Sequence, residues 1–108
     1  MRELKFRAWD SAGQKMTEMK TLFLDIRYKT TTTIMQFTGL KDKNGIDIYE
    51  GDVLSTADGN LQVVWNMSMA TFGLIKKGWA FTHFFGESCD NEKSEVIGNI
   101  YQSPELIK

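Results

Sequence analysis

The sequence has few of the residues on which covalent, redox and metal chemistry most often depend. Its 108 residues include one cysteine, one histidine and one proline. The single cysteine, Cys89, cannot form an internal disulfide, which agrees with a reducing compartment. The chain also lacks a paired-cysteine motif, a Walker-type loop, a dinucleotide fingerprint and a Ser/His/Asp order. These absences disfavour metal, nucleotide and covalent-enzyme classes.

Long apolar runs and an excess of charge are also missing. No run approaches the roughly 20 apolar residues that a membrane helix needs. No apolar segment follows the first basic residues, so we expect no secretory signal and a cytoplasmic location. The net charge is -1, which gives no overall electrostatic case for binding nucleic acid.

The sequence does contain alternating apolar and polar residues, interrupted by turn signals. Leu4, Phe6 and Ala8 alternate with polar or larger residues, which predicts a strand. The turn signal at 10–13 predicts a hairpin with a second strand at Lys15–Met19. Asn44-Gly45 is the strongest turn signal, because this pair tolerates the positive φ of a tight hairpin. It predicts a hairpin between 36–40 and 46–49.

Further short strands are predicted along the rest of the chain. Thr21–Tyr28 is ambiguous between strand and short helix, and strand is favoured. The remaining strands are expected at Asp52–Thr56, Leu61–Trp65, Thr71–Ile75, Trp79–Phe85 and Glu95–Ile100. Many short strands with a turn about every ten residues predict a mainly β barrel or sandwich-like domain. The best candidate for a junction within the chain is the segment 28–33.

Several of these segments together resemble a known family. They are Lys5–Asp10, Met35–Gly45, Ile48–Val53, Glu95–Tyr101 and Pro104–Leu106. In this order the segments resemble the YopX family of bacteriophage and prophage proteins. The resemblance implies a phage-derived soluble protein with a small SH3-like barrel in its C-terminal part. The hairpin predicted at the start of the chain would form an N-terminal β-hairpin extension or lobe. Residues 1–108 would form one YopX-like domain, with a sub-division into 1–33 and 34–108. The resemblance implies no activity and no site residue.

Three places invite a catalytic interpretation, and a structural one is favoured at each. Glu50-Gly51-Asp52 could be read as an acid pair or as half of a metal site. The structural interpretation is a bend in which Asp52 accepts backbone N–H groups. The catalytic interpretation of His83 is a general base or metal ligand, and the structural one is a partly buried strand residue. Cys89 lies among acidic residues, which disfavour a reactive thiolate. We therefore predict no catalytic, cofactor-binding or metal-binding residue, and no cofactor.

Aromatic and basic residues supply the best candidate for a binding surface. Lys5, Arg7 and Trp9 share one face of the first strand and are predicted on its outer side, where an exposed aromatic between basic residues could grip a peptide or stack on a base. The alternative is that the aromatic residues fill a small core.

These observations favour a protein that binds rather than one that catalyses. The leading hypothesis is protein–protein interaction or self-assembly as a homo-oligomer, with no membrane and no small-molecule substrate. The alternative is a nucleic-acid-binding SH3-like module. Basic residues grouped on one surface beside exposed aromatics would favour that alternative, and acidic residues among them would weigh against it.

Overall fold

The computed structural model describes residues 4–19, 32–67, 70–75, 83–84 and 91–107. These residues form nine strands and two short 3-10 turns, Asn91–Lys93 and Pro104–Ile107. The strands are β1 (Phe6–Asp10), β2 (Lys15–Met19), β3 (Thr32–Lys41), β4 (Asp47–Tyr49), β5 (Asp52–Thr56), β6 (Gly59–Asn66), β7 (Thr71–Ile75), β8 (His83–Phe84) and β9 (Glu95–Asn99).

The first sheet has the order β2-β1-β3-β4 and is antiparallel. The predicted hairpin of β1 and β2 is confirmed, with Asp10 opposite Lys15. Its turn is supported by Asp10, whose Oδ1 accepts the Ala12 N–H at 3.1 Å. This is the local side-chain bond that makes aspartate common in turns. Strand β3 pairs with the other edge of β1.

Strand β3 is longer than predicted and contains an irregularity before the Asn44-Gly45 turn. The pairing with β4 shifts between Phe37 and Lys41, and Gly39 within that interval has φ +88°. Glycine adopts this conformation without the steric cost that a Cβ brings. The turn itself is confirmed, and Gly45 has φ +78°.

The second sheet has the order β8-β7-β6-β5-β9 and is also antiparallel. The chain passes from the first sheet to the second at Glu50 and Gly51. Gly51 donates its N–H to the Val63 carbonyl at 2.9 Å and accepts the Ile100 N–H at 2.9 Å. The predicted bend at Gly51 is therefore tied to β6 and to Ile100, the residue that follows β9. The sub-division at residue 33 stays a prediction, and the change of sheet lies further along.

One apolar cluster joins the two sheets. Its buried members are Ile48, Leu54, Leu61, Val63, Phe72 and Leu74, with Leu40 and Val96 packed against them. Ile48 belongs to β4, whereas most of the others belong to the second sheet. The fold is therefore mainly β and barrel-like, as predicted, because apolar residues of both sheets close over one core.

Some predicted elements lie outside the described residues. They are Thr21–Tyr28, most of Trp79–Phe85, and the loop residues 87–90. Within the described ranges, the molecule has no helix of the length and apolarity needed to cross a membrane.

Candidate functional site

An open cleft of about 380 Å³ lies between the edge of the first sheet and strand β9. Arg7, Tyr49 and Asp52 line its inner part, and its volume is at the small end of the usual range for ligand pockets. The hairpin of β3 and β4 contributes one wall, including Ile46, and β9 contributes another, including Val96. The bend at Gly51 makes this arrangement, because it brings the start of β5 beneath β1.

Arg7 and Asp52 form a buried ion pair at the inner end of the cleft. Arg7 is 8% exposed and Asp52 is 1% exposed. Arg7 Nη2 donates to Asp52 Oδ1 at 2.7 Å and to the Glu50 carbonyl at 3.3 Å. The guanidinium also lies 4.7 Å from the centre of the Tyr49 ring, which is cation–π distance. Contacts with Asp52, the Glu50 carbonyl and the Tyr49 ring therefore hold this arginine in one orientation.

Asp52 has a second partner besides Arg7. Its Oδ2 accepts the Tyr49 N–H at 2.8 Å. Burial raises the pKa of Asp52, against the opposing effects of the Arg7 charge and the hydrogen bonds. Both carboxylate oxygens are thus engaged by fixed donors of the fold.

Arg7 retains unused hydrogen-bonding capacity. A guanidinium carries five N–H donors, and the described contacts all involve Nη2. Nε is buried and has no acceptor in the described structure. Buried donors without a partner are uncommon and costly in folded proteins. Nε is closed off from the cleft, so an added acceptor could reach this guanidinium only at its Nη atoms, of which Nη1 makes no hydrogen bond in the described structure.

Charged side chains of both signs also line the cleft or contact its lining. Asp47 accepts Lys41 Nζ at 2.7 Å and also pairs with Lys5. Burial raises the pKa of Asp47, but the two lysines outweigh it and hold the pKa below its usual value. Glu18 of β2 lines the same cleft. Burial raises the pKa of the Tyr49 hydroxyl, and the Glu18 charge adds to that effect.

Asp42 fixes one wall of the cleft to the other. Its Oδ1 accepts the N–H groups of Asn44 at 2.8 Å and Ile46 at 2.9 Å, and its Oδ2 accepts the Val96 N–H at 2.9 Å. Burial raises the pKa of Asp42, but these three hydrogen bonds outweigh it and the pKa is lowered. No local sequence pattern indicated its reach to Val96, which lies 54 positions away.

The structure corrects the prediction for Lys5, Arg7 and Trp9. Arg7 and Trp9 share one face of β1 as predicted, but that face points inward, and they are 8% and 5% exposed. The ring of Trp9 packs 6.3 Å from that of Tyr101. The inward orientation of Arg7 is stable because Asp52 on the other sheet compensates its charge. Arg7 lies in the cleft, whereas Lys5 reaches it through Asp47. Whether the three residues bind anything stays a prediction.

The arrangement of charges weighs against the nucleic-acid alternative. Lys5 and Lys41 both contact Asp47, and Arg7 contacts Asp52. Lys43 lies 3.7 Å from Glu95, measured from Nζ to Oε2. Acidic residues thus stand among the basic ones. A phosphate backbone needs positive charge in excess.

Most of the aromatic residues described fill the interior. Trp9, Phe37, Tyr49 and Phe72 are buried, whereas Trp65 is 42% exposed. The core-filling interpretation is confirmed for the buried four. The aromatic residues 79, 81 and 85 lie outside the described residues.

The Glu50-Gly51-Asp52 segment forms a bend, as favoured from the sequence. Asp52 accepts a backbone N–H there, but its pairing with Arg7 was missed. No sequence signal indicates that pairing, because the two residues are 45 positions apart. The described residues contain no group of three His, Cys, Asp or Glu that could hold a metal ion. The side chain of His83 and all of Cys89 lie outside the described residues.

Comparisons with known proteins agree with the fold. Residues 21–108 match the model of the family described as YopX protein. The crystal structure of protein EF1440 from Enterococcus faecalis is similar, with a TM-score of 0.70 and 25% sequence identity. The similarity covers 97% of this chain and 98% of that chain. No curated protein matches the sequence.

Proposed function

Since the chain belongs to the YopX family, we propose that it acts by binding a protein partner, which enters the cleft between the two sheets, and not by catalysis. The observation that carries this proposal is the open cleft itself, which is lined by the oriented guanidinium of Arg7. A preformed concave site with a few convergent polar groups is the usual form of a binding site.

Two of the three carboxylates that line the cleft, Asp47 and Asp52, are poorly suited to acid–base catalysis. A general base must be free to reach the proton that it removes. Asp52 is held by Arg7 and a backbone N–H, and Asp47 is held by two lysines. These contacts suit a rigid recognition surface.

The walls of the cleft supply the apolar contact that protein interfaces need. Ile46 is 52% exposed at the cleft, and Val96 is partly buried opposite the same hairpin. Apolar contact beside fixed polar groups is the common composition of an interface. Asp42 holds these two walls in register, so a partner would meet a surface that is already ordered.

The wider proposal follows the family resemblance. The protein would be a phage or prophage accessory protein with an SH3-like barrel, working in the cytoplasm of a bacterial host. A second copy of the chain is the alternative partner, and the exposed Trp65 and Met67 of the β6–β7 hairpin support self-association.

A capture experiment with matched variants tests the proposal. Tagged wild-type protein, Ile46→Glu and Leu4→Glu are incubated with bacterial host lysate, and captured proteins are identified by mass spectrometry. Ile46 lines the cleft, whereas Leu4 is similarly exposed at 58% and is not among its lining residues. We expect a partner retained by wild type and Leu4→Glu and lost with Ile46→Glu.

Two results would contradict the proposal. One is a partner captured equally by all three proteins, which would place binding elsewhere. The other is no captured partner together with a strict monomer in size-exclusion chromatography with light scattering. A dimer lost with Trp65→Ser and unaffected by Ile46→Glu would favour self-association through the β6–β7 hairpin.

A further inference from the structure

Resting on the proposed function, we propose that the cleft accepts an uncharged oxygen of a peptide segment, a main-chain carbonyl or an Asn or Gln side-chain carbonyl, on the unused N–H groups of Arg7. This assigns the class of ligand group and the residue that recognises it. It adds to the protein-binding proposal the chemistry by which a partner is selected.

The first step is the incomplete hydrogen bonding of Arg7. The side chain is 10% exposed, and Nη2 makes both of its hydrogen bonds. Nε is buried without a partner and closed to the cleft, whereas Nη1 makes no hydrogen bond in the described structure and is the donor group left for a ligand. The residue nonetheless lines an open cleft. An oxygen entering the cleft would therefore meet the Nη1 donors of a guanidinium that Asp52 and the Glu50 carbonyl already orient.

The second step is that the cleft disfavours an anion. The Arg7 charge is compensated by Asp52 at 2.7 Å. Asp47 and Glu18 line the same cleft. The lining has three carboxylates against Arg7 and Lys41, so a carboxylate ligand would gain one hydrogen-bonding partner without a net positive charge to attract it.

The third step is that the cleft also disfavours a cation. Arg7 occupies its inner end and Lys41 lies at its mouth. The Tyr49 ring face, which would otherwise attract a cation, is covered by the Arg7 guanidinium at 4.7 Å. An uncharged acceptor avoids both penalties and uses the free donors.

Small probes of each charge class test the inference on the whole protein. N-acetylglycinamide represents the peptide group, acetate the anion and methylammonium the cation. Each is titrated into ¹⁵N-labelled protein at equal concentration. The readouts are the Arg7 Nε–H signal and the backbone amides of Asp47 and Gly98. We expect saturable shifts of all three signals with N-acetylglycinamide, and smaller shifts with acetate and methylammonium.

Two variants separate recognition by Arg7 from a general effect of the cleft. Arg7→Lys keeps a positive charge beside Asp52 and loses the planar set of donors. We expect it to weaken the response of Asp47 and Gly98 to N-acetylglycinamide by about tenfold or more, the factor for one hydrogen bond to a charged group. Glu18→Gln removes a carboxylate far along the sequence from Asp52. We expect it to strengthen the acetate response, because one carboxylate of the lining is removed.

Clear results would overturn the inference. One is a shift of the Arg7 Nε–H signal by acetate or methylammonium at a lower concentration than N-acetylglycinamide requires. The other is a response to N-acetylglycinamide that Arg7→Lys leaves unaltered. If Arg7→Lys is unfolded by circular dichroism, the wild-type and Glu18→Gln titrations still decide. A partner lost with Ile46→Glu and retained by folded Arg7→Lys would overturn this inference and leave the proposed function standing. Absence of any cleft-dependent partner would instead overturn the proposed function.

Discussion

Removing the Arg7 guanidinium should strongly destabilise the protein. Arg7→Met keeps the length of the aliphatic side chain but leaves Asp52, 1% exposed, beside an apolar group. Breaking a buried ion pair on one side costs about 3–5 kcal/mol, because the remaining charge is uncompensated. A chain of 108 residues is expected to be stable by about 5–16 kcal/mol. The variant would therefore lose a large share of its free energy of unfolding.

The cost should depend on pH in a direction that the structure dictates. Burial already raises the pKa of Asp52 above its ordinary value of 3.8, and loss of the Arg7 charge would raise it further. A carboxyl whose folded pKa is raised contributes stability at low pH, which is lost as pH rises from the unfolded pKa through the folded pKa. The cost of Arg7→Met should thus be largest near neutral pH and smaller in acid, where Asp52 is protonated.

Urea unfolding followed by circular dichroism, at pH values from about 4 to 7, measures both effects. Asp52→Asn in the Arg7→Met background removes the isolated charge and should restore about 1–3 kcal/mol at neutral pH, which a double-mutant cycle reports as coupling. Lys41→Met is the control, because that lysine is 61% exposed in its ion pair, and its loss should cost less than about 1 kcal/mol. A cost below about 1 kcal/mol for Arg7→Met, or one independent of pH, would refute the buried-pair argument.

Three further perturbations test other parts of the structure. Gly51→Ala should cost about 2–3 kcal/mol in chemical denaturation, because φ is +88° and the new Cβ would lie 3.1 Å from Met35 Sδ. Gly45→Ala, with φ +78° and nothing within 4 Å, should cost only about 1–2 kcal/mol, and equal costs would argue against crowding at Gly51. Asp42→Asn should cost about 1–3 kcal/mol near neutral pH. It should also weaken the fall in the free energy of unfolding at acid pH. The lowered pKa of Asp42 contributes stability above pH 3.8, which is lost as the pH falls through the folded pKa. If the free energy of unfolding falls in acid as steeply as in the wild type, Asp42 does not control that fall. Leu54→Ala, at 0% exposure, should lower the free energy of unfolding by about 2–5 kcal/mol, and thermal melting that shifts by only a degree or two would contradict its place in the core.

Strands and turns formed by neighbouring residues were predictable from the sequence. The hairpin of β1 and β2, the Asn44-Gly45 turn and the bend at Gly51 all depend on conformations that the local residues favour. Alternation also showed correctly that Arg7 and Trp9 share one face of β1, because successive side chains of a strand point to opposite sides.

The direction of that face was not predictable, and it reversed the expected role of Arg7. Alternation assigns residues to two faces but does not say which face the rest of the chain will cover. Arginine is normally assigned to the solvent side, since burying its charge is costly without a partner. Asp52 supplies that partner from the second sheet, 45 residues away.

The candidate site shows the same division between local and distant causes. The sequence by itself determined a mainly β chain, its turns and its membership of the family, because these depend on neighbouring residues and ordered motifs. The tertiary structure decided that Asp42 joins the hairpin to Val96 and that Arg7 meets Asp52 at the inner end of a cleft. These contacts form only when the bend at Gly51 brings the two sheets together, so no local pattern contains them.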